Sequence, residues 1–218
     1  MHYCTKYSFC TNFKDNSISG EITQDMISGG WQSIVDLDLS INRLDGPLPK
    51  NIWSMESLEV VDLHGNDFIG QIPEIDAVHD NLIFFAVQDN SLEWRIPESI
   101  NNLVNLKHLD ISANNMELPF PPTMSEMSNL ESFYTGINGF GKHQIPDFLA
   151  QMTNLRELSM KQNQLTGQIP AFIGAMTNLK VLDLDFNQLT GKIPDVSRTL
   201  VTEILRSLDS RGEGFYCF

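Results

Sequence analysis

Apolar and polar residues of this chain recur in one phase along most of its length. The cleanest copy is residues 179–194, LKVLDLDFNQLTGKIP, with Leu179, Leu182 and Leu184 apolar, followed by Asn187, Leu189, Gly191, Ile193 and Pro194. The alternation Leu182, Asp183, Leu184 predicts a short strand of period two, one face inward and one outward. Asn187 falls where the strand must turn, and its amide can bond backbone groups of the turns on either side. Gly191 frees the backbone at the next bend, and Pro194 ends strand pairing. A unit this short cannot bury its own leucines, so it needs copies of itself as neighbours.

Asparagines in the equivalent place are Asn16, Asn42, Asn66, Asn90, Asn114, Asn138, Asn163 and Asn187. Five of the seven steps are 24 residues; the first is 26, and that from Asn138 to Asn163 is 25. The pattern predicts one elongated solenoid of about eight turns, each touching mainly its neighbours. Residues 1–30 read as a degenerate first repeat or N-terminal cap, and residues 31–194 as the array. In residues 195–218 the period fails, with Glu203 and Arg206 where leucines are due. Leu200, Ile204, Leu205 and Leu208 share one helical face there, which predicts a C-terminal capping helix and a tail.

Several turns depart from the pattern. In the third, Asp76 and His79 stand where other turns place apolar residues, with Ile75 and Val78 one position earlier. A buried Asp–His pair would be costly, so a one-residue shift that keeps Ile75 and Val78 inside is expected. The fourth turn replaces glycine by Trp94, the fifth places Leu118 there beside three prolines, and the sixth carries one inserted residue.

The form LxxLxLxxNxLxGxIP resembles the plant-type leucine-rich repeat of receptor-like kinases and receptor-like proteins, over about residues 31–194 and faintly 8–30. The resemblance implies an α/β solenoid, a right-handed superhelix with a parallel sheet on its concave face and a second strand near LxGxIP. It also implies a protein- or peptide-recognition module of a cell-surface receptor-like protein. That family's paired cysteines with an intervening tryptophan are not matched by Cys4 and Cys10, and no kinase signature is present. Two alternatives stay open: a soluble inhibitor of a secreted enzyme, like the polygalacturonase inhibitors built from the same repeat, and an intracellular scaffold. An ice-binding solenoid would need regular rows of Thr or Asn, which the rows below lack.

Composition sharpens the partner class. Against 14 Lys plus Arg stand 28 Asp plus Glu, a net charge of −14 over 218 residues. That argues against nucleic acid or an anionic membrane as partner, and no apolar run approaches the roughly 20 residues of a membrane span. The start MHYCTKYSFC lacks the apolar core of a signal peptide, and no N-x-Ser/Thr site occurs. The resemblance therefore points to the cell surface or extracellular space, while these absences leave a cytoplasmic protein, or a piece of a longer chain, as the alternative. Cys4, Cys10 and Cys217 are odd in number; Cys4 and Cys10 could form a small end-capping disulfide.

Chemistry is sparse. Residues 136–143, GINGFGKH, nearly spell a phosphate loop, but His143 stands in the magnesium-ligand place, QIP follows instead of a helix, and Asn138 belongs to the asparagine column. Five scattered histidines read as satisfied surface residues. The sequence calls for no catalytic group, cofactor or metal. What remains is the outward face of the strands, where places six, four and two before each asparagine form rows across the sheet. The row four before is rich in aspartate (Asp38, Asp62, Asp110, Asp183), a habit of the resembled family and not a metal site. Phe84, His108 and Tyr134 come from three successive strands and are read as an exposed aromatic cluster, the core of an interface. Gln88 and Asp110 are its polar neighbours, and Glu157 and Lys161 a charged rim. The competing reading is that Phe84 packs on Val60 and only shields the sheet.

Overall fold

The computed structural model describes residues 9–194. Three-residue strands hold too few hydrogen bonds to stand alone, and here each pairs in parallel with its counterpart one turn away. Phe9–Asn12, Ile34–Asp38, Val60–Asp62, Phe84–Ala86, His108–Asp110, Ser132–Tyr134, Glu157–Ser159 and Val181–Asp183 form one eight-stranded sheet in chain order. This is the concave sheet of an α/β leucine-rich-repeat solenoid. The central residue of successive strands points inward: Leu37, Val61, Phe85, Leu109, Phe133, Leu158 and Leu182 are all buried. The residues flanking it form the two outward rows, in register from Cys10 to Val181 and from Asn12 to Asp183.

Short second strands near LxGxIP pair with their neighbours: Ser19–Glu21 with Arg43–Asp45; Ile69–Gly70 with Ser91–Trp94 and Asn115–Met116; and Thr166–Gln168 with Gln188–Thr190. The prolines then start the convex side. Pro49, Pro97, Pro121 and Pro146, with φ near −65°, precede the 3₁₀ helices Lys50–Ser54, Glu98–Asn102, Pro122–Glu126 and Asp147–Gln151. Each helix buries one apolar residue, respectively Ile52, Ile100, Met124 and Leu149. In the fifth and sixth turns, where the repeat departs from pattern, Phe120 packs against Phe133, Phe140 and Phe148 at centroid distances of 6.3, 4.9 and 5.7 Å.

The asparagine column ties the turns together. In Asn114, Nδ2 donates to the carbonyls of Val87 (3.0 Å), Ile111 (3.2 Å) and Ser112 (3.0 Å), while Oδ1 accepts the N–H of Leu92 at 2.9 Å. One side chain thus satisfies backbone groups of two turns in the interior, where unpaired ones are costly. Asn42, Asn66, Asn90 and Asn138 repeat the arrangement, each spanning two turns. The residue before each column asparagine is left-handed, with φ between +48° and +62°: Asp15, Ile41, Gly65, Asp89, Ala113, Ile137, Gln162 and Phe186. Only Gly65 takes that conformation without the steric penalty of a Cβ.

A second, exposed column escaped the sequence reading. Asn81, Asn105, Asn129, Asn154 and Asn178 each donate to a carbonyl of the preceding turn: Glu56, Asp80, Val104, Ser128 and Thr153 respectively, at 2.8–2.9 Å. The signal was present, since these asparagines keep the same spacing as the first column.

The third turn corrects an expectation. Ile75 is buried, but Val78 is 64% exposed and His79 only 5%. His79 keeps its place in the column of Met55, Leu103 and Met127; its Nε2–H donates to the Met55 carbonyl at 3.2 Å, and its backbone N–H to that of Asn102 at 2.8 Å. Asp76 stays exposed, so no buried Asp–His pair forms and the predicted shift of Val78 is unnecessary. Cys10 is disulfide-bonded; Cys4 and Cys217, like the predicted capping helix in residues 195–218, lie outside the described residues. Among the described residues no helix is long and apolar enough to cross a membrane.

The two columns differ in burial, and this yields a stability prediction. Asn114→Ala strands buried groups on two turns and should cost about 1–3 kcal/mol in denaturant unfolding, whereas Asn105→Ala, whose exposed groups water can satisfy, should cost under about 1 kcal/mol. Equal losses would mean that the buried amides do not hold the turns.

Candidate binding site on the concave face

Strand pairing decides which of the candidate side chains meet. Phe84 and His108 are register partners, as are Asp110 and Tyr134 on the next pair of strands. The Phe84 and His108 rings stack at 4.2 Å with 5° between planes, and His108 meets Tyr134 at 5.5 Å, tilted by 55°. The three rings form one continuous step across three strands. Because they cover one another they are half-buried, not fully exposed as the sequence suggested. Val60, the register partner of Phe84, is buried, so the ring step also borders an apolar position of the sheet.

The polar neighbours are more constrained than a loose rim. The Tyr134 hydroxyl donates to Glu157 Oε2, which removes Glu157 from the free rim and fixes the Tyr134 ring. Burial, followed by this bond to a carboxylate, pushes the Tyr134 hydroxyl well above its ordinary range, so it stays a donor. Asp110 Oδ1 accepts from the backbone N–H (2.9 Å) and hydroxyl (2.6 Å) of Ser112. Burial pushes its carboxyl up, against the pull of those bonds. The same turn recurs at Asp38 with Ser40 and at Asp62 with His64. The aspartate row thus stabilises strand ends, and among the described residues no group of three or more His, Cys, Asp or Glu is placed to hold a metal ion.

Lys161 lies over Gly136: a Cβ on that glycine would fall 2.7 Å from Lys161 Cγ. Gly136 is therefore a spacer that lets the lysine stem cross the neighbouring turn, a role that sequence reasoning missed. Gln88 has a buried Oε1 with no hydrogen-bond partner. All seven candidates, Phe84, Gln88, His108, Asp110, Tyr134, Glu157 and Lys161, lie half-buried on the outward face or at its turn ends. The phosphate-loop look-alike is repeat structure: Asn138 sits in the asparagine column, Phe140 is buried, and His143 Nδ1 contacts the Gly141 carbonyl at 2.9 Å.

The family model for leucine-rich repeats (2 copies) matches residues 153–198. Over 52 residues, 24% of this chain, the sequence is 48% identical to a probable leucine-rich-repeat receptor-like serine/threonine-protein kinase, RPK1, of Arabidopsis thaliana, of which the chain spans 10%. The crystal structure of PEPR1-AtPEP1 is similar over 84% of this chain and 25% of its own, with TM-score 0.76 and 32% identity. The leucine-rich-repeat ectodomain of the Arabidopsis receptor kinase HAESA, solved in complex with an N-terminally extended IDA peptide hormone ligand, is similar over 87% of this chain and 36% of its own, with TM-score 0.76 and 28% identity. The fold and the repeat define a leucine-rich-repeat solenoid. In sequence and in fold the chain is similar to plant-type leucine-rich-repeat proteins.

His108 ties the aromatic step to pH. Burial holds its imidazole below the ordinary 6.5, opposed by the nearby charges of Asp110, Glu157 and Asp62. As pH falls through that value the unfolded chain takes up the proton first, so the folded state loses stability. Asp110, shifted upward, acts with the opposite sign and only in the carboxylate range. Between about pH 7 and pH 5, wild type should lose more unfolding free energy than His108→Gln. Parallel losses would show that His108 is not desolvated by its stack.

Proposed function

We propose that the chain is a ligand-recognition segment of a larger receptor-like protein, and that it binds a peptide along its concave face at the cell surface. The observation that carries this reading is the ring step Phe84–His108–Tyr134, pinned by Glu157, with Lys161 crossing Gly136 on the same face. An extended peptide crossing the strands could stack a side chain on the step. The rings are held in place before any ligand arrives, which lowers the ordering cost of binding. The likeness to a receptor ectodomain solved with a peptide hormone supports the class of ligand. The share of the relatives that the chain spans supports a segment of a larger receptor.

Panning a displayed library of short peptides on the immobilised chain supplies the probe. Phe84→Ala with Tyr134→Ala should weaken the enriched peptides at least about tenfold while melting shifts by only a few degrees, since buried aromatic anchors typically carry about 2 kcal/mol or more each. Glu93→Ala with Glu117→Ala, exposed and on the flank of the arc, should leave binding unchanged. Peptides that tolerate the aromatic pair but not the flank pair would place the ligand elsewhere.

A further inference from the structure

The third turn leaves an opening on the convex side. The second, fourth, fifth and sixth turns each fill that side with a 3₁₀ helix, but residues 73–80 form none. The segment is held instead by the next turn: Ile75 N–H donates to Ser99 Oγ at 2.8 Å, and Asn102 Nδ2 donates to the Ile75 carbonyl at 2.7 Å. Between it and the helix Lys50–Ser54 lies a cleft of about 720 Å³, within the size range of ligand sites.

The walls of this cleft are rich in acceptors. Glu56, Glu74, Asp76 and Asp80 line it, against one base, Lys50. Glu74 accepts from the Ser99 hydroxyl, and among the described residues Glu56, Asp76 and Asp80 form no salt bridge. Two lining residues also carry buried, unbonded polar atoms. Asn51 spends its amide hydrogens on Gln24 O (3.0 Å) and Ser28 Oγ (3.1 Å), leaving Oδ1 without a partner. His79, 5% exposed, donates from Nε2 to Met55 O, and its buried Nδ1 has no hydrogen-bond partner. Buried polar atoms normally find partners, and an unpaired one is costly. Val78, 64% exposed, and the half-buried Trp53, whose Nε1–H is fixed on Pro73 O at 3.0 Å, add apolar surface beside the charges.

We propose that this convex cleft is a docking site for an arginine-bearing segment of a partner protein. A guanidinium is donor-only, with five N–H groups in a planar fork, and so complements a cleft walled by carboxylates. Its aliphatic stem lies along Val78 and Trp53 while the head reaches the acids. The site is separate from the concave ring step, and either can exist without the other.

A capped arginine–glycine–arginine peptide, titrated calorimetrically into the 218-residue chain at low ionic strength, is the test. The peptide should bind saturably and better than its lysine counterpart. Glu56→Gln with Asp76→Asn should weaken it at least about tenfold. Glu93→Gln with Glu117→Gln removes the same charge from another surface and should change affinity little. His79→Met installs the residue that the same column carries at Met55, so it keeps the fold while removing the unpaired ring nitrogen from the cleft wall; it should weaken the arginine peptide and leave melting intact. Three results each overturn the proposal: no binding, equal loss in both acid pairs, or an arginine peptide indifferent to His79→Met.

Discussion

Everything in this molecule depends on how a buried turn disposes of its backbone polar groups. Each strand is short, each bend follows at once, and the bend lies inside the solenoid where water cannot help. The asparagine column solves the problem with one amide per turn: three donor contacts and one acceptor contact, shared between neighbouring turns, as in Asn114. A serine or alanine could not reach both turns. The arrangement also explains why Ile41 and Ile137 sit at φ of +54° and +58°, where a β-branched residue is disfavoured. The amide that follows needs that backbone, and its bonds outweigh a steric cost of about 1–2 kcal/mol.

The register that the column enforces makes the concave face readable. Once each strand is locked to the next, places six and four before the asparagine become straight rows. The aspartate at place four closes a small turn onto the residue two further on, as Asp38 does with Ser40 and Asp110 with Ser112. The row abandons aspartate at Asn12, at buried Ala86 and Ser159, and at Tyr134. The tyrosine then reaches sideways to Glu157 on the next strand. Local exceptions in a fixed lattice thus assemble a surface that no single turn encodes.

The sequence made the lattice legible because its signals are periodic: asparagine, glycine and proline each have one place in the turn, and leucine several. It also placed Phe84, His108 and Tyr134 on one face, since rows follow from register alone. Contacts within the face were not legible. That the rings stack, that Glu157 is taken by Tyr134 and that Gly136 gives Lys161 room all depend on rotamers and on close approach between turns. The third turn failed for a different reason. Polarity alone put Val78 inside and His79 outside, yet the column geometry held, and one hydrogen bond to Met55 O made an imidazole acceptable in the interior.

The misread turn is also the informative one. A histidine can occupy a methionine place only by leaving one ring nitrogen over, and a turn without its helix leaves that nitrogen beside an opening. In a repeat protein the regular positions are already committed to holding the stack, so chemistry is left to positions where the repeat is broken. Both irregular regions here follow that logic by different physics. On the concave face, the aromatic rings offer apolar area, whose contribution grows with the water it sheds. On the convex side a missing helix leaves a cleft walled by carboxylates, whose attraction for a cation is strongest where solvent and salt screen it least.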